Sequence, residues 1–344
     1  MFIREKRINC GKSYVEVDIF PRSIDQEKYA KEGVRKKGAP SSDTQVNLND
    51  RNSKRKFHQT VMANFDETSL VLGLDYNNEF RPKTVEDAQT EIRNYLDRAK
   101  RKIKKLGLPE LKWMVVTEHS DGKKKINIHH HLIISGDLGR EALEGLWVKG
   151  RGKNQKPIGR CNARRLQFDG NGVEGLTQYM LKKPEGKKRW SSSRNLEKPK
   201  PPKLNDKKYT RRQLEKYALS NDCGEEMFKK KYPNHLISEI KFYENEMTGY
   251  YFYLKMWKKP KDGVVPYHMT KTSIVEMTKK QWIEEQRNNA HYFLCKGGEI
   301  LASGSIEEIA IQRGVKKSTV AHYGMPSYRR KMKGDGLVLI KQQE

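Results

Sequence analysis

The stretch Ile126-Asn127-Ile128-His129-His130-His131-Leu132-Ile133-Ile134 decides how the rest of the chain is read. Apolar flanks and recurring β-branched isoleucines favour a buried strand over a helix. Side chains alternate in a strand, so His129 and His131 share one face and His130 points to the other. Two imidazoles on one face of a rigid sheet make half of a metal site. The preceding run Trp113-Met114-Val115-Val116-Thr117-Glu118 also reads as a strand, and Asp121-Gly122 followed by three lysines is a hairpin signal. A turn centred between Lys123 and Lys124 sets Glu118 opposite His129 and completes a His, His, Glu triad. A slip of one residue brings in His119 instead and turns Glu118 away. A strand histidine is most often a hydrogen-bonded core residue. The carboxylate opposite, and a tyrosine farther along, favour a site.

At 344 residues the chain holds one large domain or two to three ordinary ones. Lysine and arginine number 70 against 43 acidic residues, a net charge of +27 spread along the chain. An anionic polymer is the natural partner, and nucleic acid is favoured over a membrane surface, because no lipid-anchoring or amphipathic-insertion pattern occurs. No apolar run approaches the ~20 residues of a membrane span, and no signal peptide begins the chain. Cys10, Cys161, Cys223 and Cys295 are scattered without a Cys-x-x-Cys pair. They read as free thiols of a cytoplasmic protein, which excludes a disulfide framework or a cysteine zinc site.

Residues 12–20 alternate, with Val15, Val17 and Ile19 on one face and Glu16 and Asp18 on the other, as in a half-buried strand. Residues 21–56 are polar and basic and read mostly as loop or disordered arm. A strand returns over 69–76. Thr84 then caps a long helix with Asp87 three residues on, carrying an apolar stripe of Val85, Ala88, Ile92, Tyr95, Leu96, Ala99 and Ile103. After the histidine hairpin come a helix over 140–147 and a shorter one over 176–183, stopped by Pro184. That helix groups Tyr179, Lys182 and Lys183 near one face. From Lys182 to Arg212 there are thirteen basic and three acidic residues, with Trp190 and a proline-rich hinge, a composition suited to following phosphates and stacking a base. A solvated linker fits that composition equally well. Residues 249–254 look like one more strand of the same sheet. Near the end, Ser305-Ile306-Glu307-Glu308 is a capping box, Gly314-Val315 a break and 316–323 a second, basic helix, which together form a helix-turn-helix pattern. An ordinary helical hairpin is the plainer alternative. Residues 336–341 close with a strand.

Taken together these stretches resemble the HUH endonucleases, specifically the single-tyrosine rolling-circle replication initiators of plasmids, phages and phage-like elements. The matching stretches are the strand from Leu70 to Tyr76, Thr117-Glu118 with His129-His130-His131, and Tyr179-Met180-Leu181-Lys182. Arg189-Trp190 and Ser193-Arg194-Asn195-Leu196 also resemble the segment that follows the catalytic helix. Family members often carry threonine in the first motif strand, where this chain has Gly73 and Asp75. The resemblance covers roughly residues 1–260. It implies an α+β fold, an antiparallel sheet flanked by helices, here with the C-terminal helix-turn-helix region.

By position the resemblance makes Glu118, His129 and His131 ligands of a divalent metal ion (Mg2+ or Mn2+), Tyr179 the nucleophile and Lys182 its charged neighbour, with Lys183 the other candidate. DNA contacts are expected at Lys183, Lys187, Lys188, Arg189, Trp190, Arg194 and Asn195, and from the last helix at Lys316, Lys317, Ser318 and Thr319. The implied organisation is an N-terminal strand and basic arm over 1–60, a nuclease domain over 61–260, a linker over 261–284 and a DNA-binding domain over 285–344. The implied activity is strand-specific nicking at an origin through a 5′-phosphotyrosine link, then rejoining, with a host helicase and polymerase as partners. A conjugative relaxase or single-strand transposase shares this chemistry. A His, His, Glu site holding zinc or iron would not need Tyr179, and a DNA-binding regulator without catalysis would leave the histidines unexplained.

Overall fold

The computed structural model describes residues 1–32, 43–120, 125–150, 152–182, 189–245, 248–260, 272–276, 292–296, 299–304, 306–323 and 336–341. The chain is a mixed α and β protein built mainly on antiparallel sheets. Among the described residues no helix is long and apolar enough to cross a membrane.

The histidine sheet has five strands, in the order Cys161–Arg165, Leu70–Leu74, Lys125–Ile134, Trp113–Ser120 and Ser191–Ser192, all antiparallel. Leu70, Leu72, Leu74, Val115, Leu132 and Ile134 lie on one face and bury against the long helix Val85–Leu106. That helix begins at a capping box between Thr84 and Asp87 and presents Ala88, Ile92, Tyr95, Leu96, Ala99 and Ile103 to the sheet. The opposite face carries Met114, Val116 and Ile133. They pack with Phe57, Val61 and Met62 of the helix Asp43–Asn64 and with Met180 and Leu181 after the tyrosine. Cys10, Tyr14 and Trp257 join that core from a second sheet.

This second sheet changes the expected organisation. Its six strands run Lys203–Asn205, Phe2–Cys10, Tyr14–Arg22, Gly249–Lys258, His235–Asn245 and Ser273–Glu276. Only the last pair is parallel. The strand read at 249–254 belongs here and not to the histidine sheet. Residues 1–60 supply two strands to this sheet, Phe2–Cys10 and Tyr14–Arg22, beside residues 203–258. Part of the expected linker, Ser273–Glu276, is its edge strand. Local alternation reports that a strand is half-buried but not which sheet it joins, so these assignments were not readable locally.

The polar stretch after residue 21 is also more ordered than expected, with helices at Ile24–Glu32 and Asp43–Asn64. The second covers the face of Tyr14–Arg22 that was read as solvated. Arg55 donates to Glu16 at 2.6 Å and to Asp18 at 3.0 and 3.1 Å, and Gln59 donates to Glu16 at 2.7 Å. Glu16 is therefore only 1% exposed. The helix escapes an apolar-periodicity reading because much of its interface is charged.

At the far end, Glu299–Gly304, Tyr292–Lys296 and Val338–Lys341 form a three-stranded antiparallel sheet. With the helices Ile306–Arg313 and Lys317–Tyr323 it shares a small core of Leu294, Ala302, Ile309, Ala310 and Val320. Ser305, the expected cap, lies outside the described residues.

The second sheet is tied to the helix Glu174–Met180 by a buried charge. Lys255, 0% exposed, stands on the strand Gly249–Lys258, and its Nζ lies 2.5 Å from Glu174 and 2.7 Å from Glu239. Burial works against its charge, but the two carboxylates outweigh it and raise its pKa. Lys255→Met removes the cation and leaves Glu239, itself 3% exposed, with Asn171 at 2.9 Å and Lys241 at 3.6 Å. It should cost about 3–5 kcal/mol in denaturant unfolding; an unchanged midpoint would show that the pair contributes nothing.

Candidate active site

The pairing of Trp113–Ser120 with Lys125–Ile134 sets Val116 opposite His131 and Glu118 opposite His129. The register shifts only beyond that, between Glu118 and Ser120, and the turn at 121–124 lies outside the described residues. Glu118, not His119, is thus on the face of the two histidines. Its Oε2 lies 3.2 Å from His129 Nε2 and 3.1 Å from His131 Nε2, and the ligand atoms of all three lie within 4.8 Å of one another.

The three residues fit a divalent ion. Two imidazole nitrogens converge with one carboxylate oxygen, a donor set that divalent ions accept. His129 donates from Nδ1 to the Asn127 carbonyl at 2.9 Å, which turns Nε2 toward the site. Glu118, 6% exposed, remains acidic. Burial opposes its charge, but hydrogen bonds from Lys182 and His131 and the charge of His129 hold the carboxyl below the usual glutamate range. Burial likewise lowers the pKa of His131, against the pull of Glu118.

His130 points into the other core. It is 0% exposed, between Tyr76 Oη at 2.7 Å and Thr117 Oγ1 at 2.9 Å, beside Trp147. Burial first, then the neighbouring histidines, push its pKa down to about 3, so it stays neutral.

Tyr179 comes from the helix Glu174–Met180, which starts two residues earlier than expected and ends before Lys182. Its ring stands edge-on to His131 with centroids 5.3 Å apart, and the residue is 53% exposed. Lys182, just beyond the helix end, places Nζ 4.7 Å from the centre of the Tyr179 ring and 2.9 Å from Glu118 Oε1. The cation therefore links the phenol to the triad.

Seven residues make too short a helix to hold itself, so its orientation comes from neighbours. Gly172 enters it at φ +77°, where a Cβ would meet the Met62 side chain. Glu174 pairs with Lys255. Buried Thr177 donates to the Glu174 carbonyl at 2.9 Å and accepts from His58 Nδ1 at 3.3 Å. That leaves His58 Nε2 to accept from Tyr14 Oη at 3.4 Å. His58, Glu174, Thr177 and Lys255 escaped the sequence reading. The one trace was a lysine inside the apolar run Leu254-Lys255-Met256-Trp257.

The expected DNA-contacting residues divide. Lys183, Lys187 and Lys188 lie outside the described residues. Arg189, Trp190 and Asn195 are not on a free arm. Arg189 pairs with Asp50 at 3.3 Å, and Trp190 packs edge-on to Phe57 and donates to Ser53 at 3.4 Å. Asn195 donates to the Leu111 carbonyl at 3.3 Å. The intervening Ser191–Ser192 is an edge strand of the histidine sheet, whose hydrogen bonds pull its neighbours inward. Arg194 is exposed, as is Lys316, which immediately precedes the last helix, while Thr319 on that helix is half-buried. Lys317 and Ser318 are also in that helix.

Comparison with protein-family models, with curated proteins and with solved structures gives no match.

Mn2+ titrated into the chain should bind at one site. His129→Ala and His131→Ala should each weaken it by more than the roughly 10–100-fold that loss of an outer-shell partner costs. His130→Ala should lower the melting temperature and leave the metal stoichiometry intact. An equal loss of metal affinity at His130 would overturn the face assignment.

Proposed function

We propose that this chain nicks and rejoins single-stranded DNA through a covalent phosphotyrosine, in the manner of a rolling-circle replication initiator. One observation carries this reading. An exposed phenol stands beside a histidine of a His, His, Glu triad, and one lysine lies against both the carboxylate and the phenol ring. A tyrosine with a merely structural role needs neither neighbour.

A divalent ion, Mg2+ or Mn2+, held by Glu118, His129 and His131 would supply Lewis acidity toward an oxygen of the scissile phosphate. The chain's own groups do the rest. A neutral phenol is a weak nucleophile, and the Lys182 ammonium beside the ring is placed to offset the negative charge that gathers between the attacking oxygen and the phosphate. Tyr179 Oη attacks phosphorus and gives its proton to water, the bond to the 3′ oxygen breaks, and that oxygen takes a proton back from water to become a free 3′-hydroxyl. One phosphodiester is exchanged for another. A 3′-hydroxyl attacking the phosphotyrosine therefore reverses the step without a further energy source. The 53% exposure of Tyr179 leaves it open to a strand arriving from solvent.

Tyr179→Phe removes one oxygen from an exposed ring and should preserve folding. It should eliminate both nicking and a denaturation-resistant protein–DNA adduct on origin single strands, with label only on the 5′-phosphate side of the break. If the phenylalanine variant still cuts and links, another tyrosine is the nucleophile. If the unaltered chain cuts without linking, the chemistry is hydrolysis and the initiator reading falls.

The helices Ile306–Arg313 and Lys317–Tyr323 extend this reading. They meet across Gly314, at φ +65°, and bury Ile309, Ala310 and Val320 between them. We assign them as a helix-turn-helix that finds duplex origin DNA, with the second helix in the major groove. A Lys316→Ala, Lys317→Ala double variant should bind duplex more weakly and with a shallower salt dependence, the slope falling by about one for each phosphate no longer neutralised. Unchanged duplex binding would remove that assignment.

A further inference from the structure

Cys161–Arg165 is an edge of the histidine sheet, paired on one side only, with Leu70–Leu74. Antiparallel partners alternate between pairs that exchange backbone hydrogen bonds and pairs whose backbone groups point away. Just beyond the two ends of this pairing, Leu166 donates to the Ser69 carbonyl at 2.8 Å and Asp75 to the Arg160 carbonyl at 2.9 Å. Those pairs are of the first kind. Ala163, opposite Leu72, and Arg165, opposite Leu70, are therefore of the second. Glu144 agrees, since its Oε1 accepts from the outward Ala163 N–H at 2.9 Å. The Ala163 carbonyl and both backbone groups of Arg165 also face outward, and among the described residues no further strand pairs with them.

This edge borders a cleft of about 730 Å³, within the ~300–1,000 Å³ of ligand clefts. Arg140, Arg164 and Arg165 line it, and among the described residues no acidic side chain does. Leu70, Val71, Ala163 and Leu176 give it apolar surface between the cations. Arg140 donates to Glu144 Oε1 at 2.9 Å, the same oxygen that takes the Ala163 N–H. One carboxylate of the chain thus already rests on an edge amide and an arginine, which together hold its pKa below the usual glutamate range. It closes the ladder at Ala163, as side chains that blunt an edge do. From Arg165 onward the edge is open. Arg164 and Arg165 are exposed and have no ion pair among the described residues.

We infer that this edge and cleft dock an extended acidic segment of another protein, added as a short strand beside Arg165. Arg164 and Arg165 are neighbours in a strand and point to opposite faces. An added strand meets both with two adjacent acidic residues, and arginine pairs strongly with carboxylates. The open carbonyls favour a peptide over DNA. A sugar–phosphate backbone offers them no donor, whereas a peptide strand brings donors and acceptors alike. This docking is independent of strand nicking.

The test uses the full chain and a fluorescein-labelled peptide of valines and threonines with two adjacent glutamates at its centre. Anisotropy should show saturable binding. N-methylating the two glutamate amides keeps the charge, removes the ladder donors and should weaken binding at least tenfold. Arg164→Glu with Arg165→Glu should weaken the original peptide at least tenfold at an unchanged melting temperature. If that variant does not fold, the N-methylated peptide decides alone. Equal affinity for the two peptides would show charge attraction only and overturn the added strand, as would no saturable binding or unchanged binding by the double variant. A random-sequence DNA single strand that displaces the peptide, and loses as much affinity in the double variant, would give the cleft to nucleic acid and overturn it as well.

Discussion

The antiparallel pairing that sets Val116 against His131 and Glu118 against His129 is the constraint on which the rest of the site depends. Side chains repeat every two residues, so a slip of one would either send Glu118 into the apolar core or bring His130 onto the open face. Both exchanges are costly. Glu118 would lose two histidines and Lys182, and His130 would give up Tyr76 and Thr117. The leucines and isoleucines that bury against the long helix hold the same register from the other side. Core packing and site geometry thus select one alignment.

The second sheet supplies what the histidine sheet lacks, a firm backing for the tyrosine. Buried charge is expensive unless paired, and the charged groups at this interface meet opposite charges. Lys255 meets Glu174 and Glu239, and Arg55 meets Glu16 and Asp18. Such contacts are directional where apolar ones are not. They fix how the tyrosine helix lies and not merely that it is covered.

The triad was legible because period-two alternation and a hairpin signal are local properties, and together they set Glu118 against His129. The long helix was legible for a similar reason, since its capping box and apolar stripe are written in neighbouring residues. Sheet membership was not legible. Tyr14–Arg22 and Gly249–Lys258 alternate as any strand does, and nothing within them states that they pair with each other. The helix Asp43–Asn64 was missed because its buried side includes Arg55 and Gln59, which an apolar pattern counts as solvated. Trp190 and Arg189 looked like a nucleic-acid arm because composition records charge and aromaticity but not their partners, Phe57 and Asp50.

The seven-residue length of the tyrosine helix has a consequence for how the site comes apart. Isolated helices below about 12 residues are marginal in water. This one is therefore ordered only while the second sheet and the helix Asp43–Asn64 remain docked on it through Lys255 and His58. The histidine hairpin has a core of its own against the long helix on one face and shares the second sheet's core only on the other. The two halves of the site are thus held unequally: Glu118, His129 and His131 sit on paired strands with a core on each face, whereas Tyr179 depends on the contacts of one short helix.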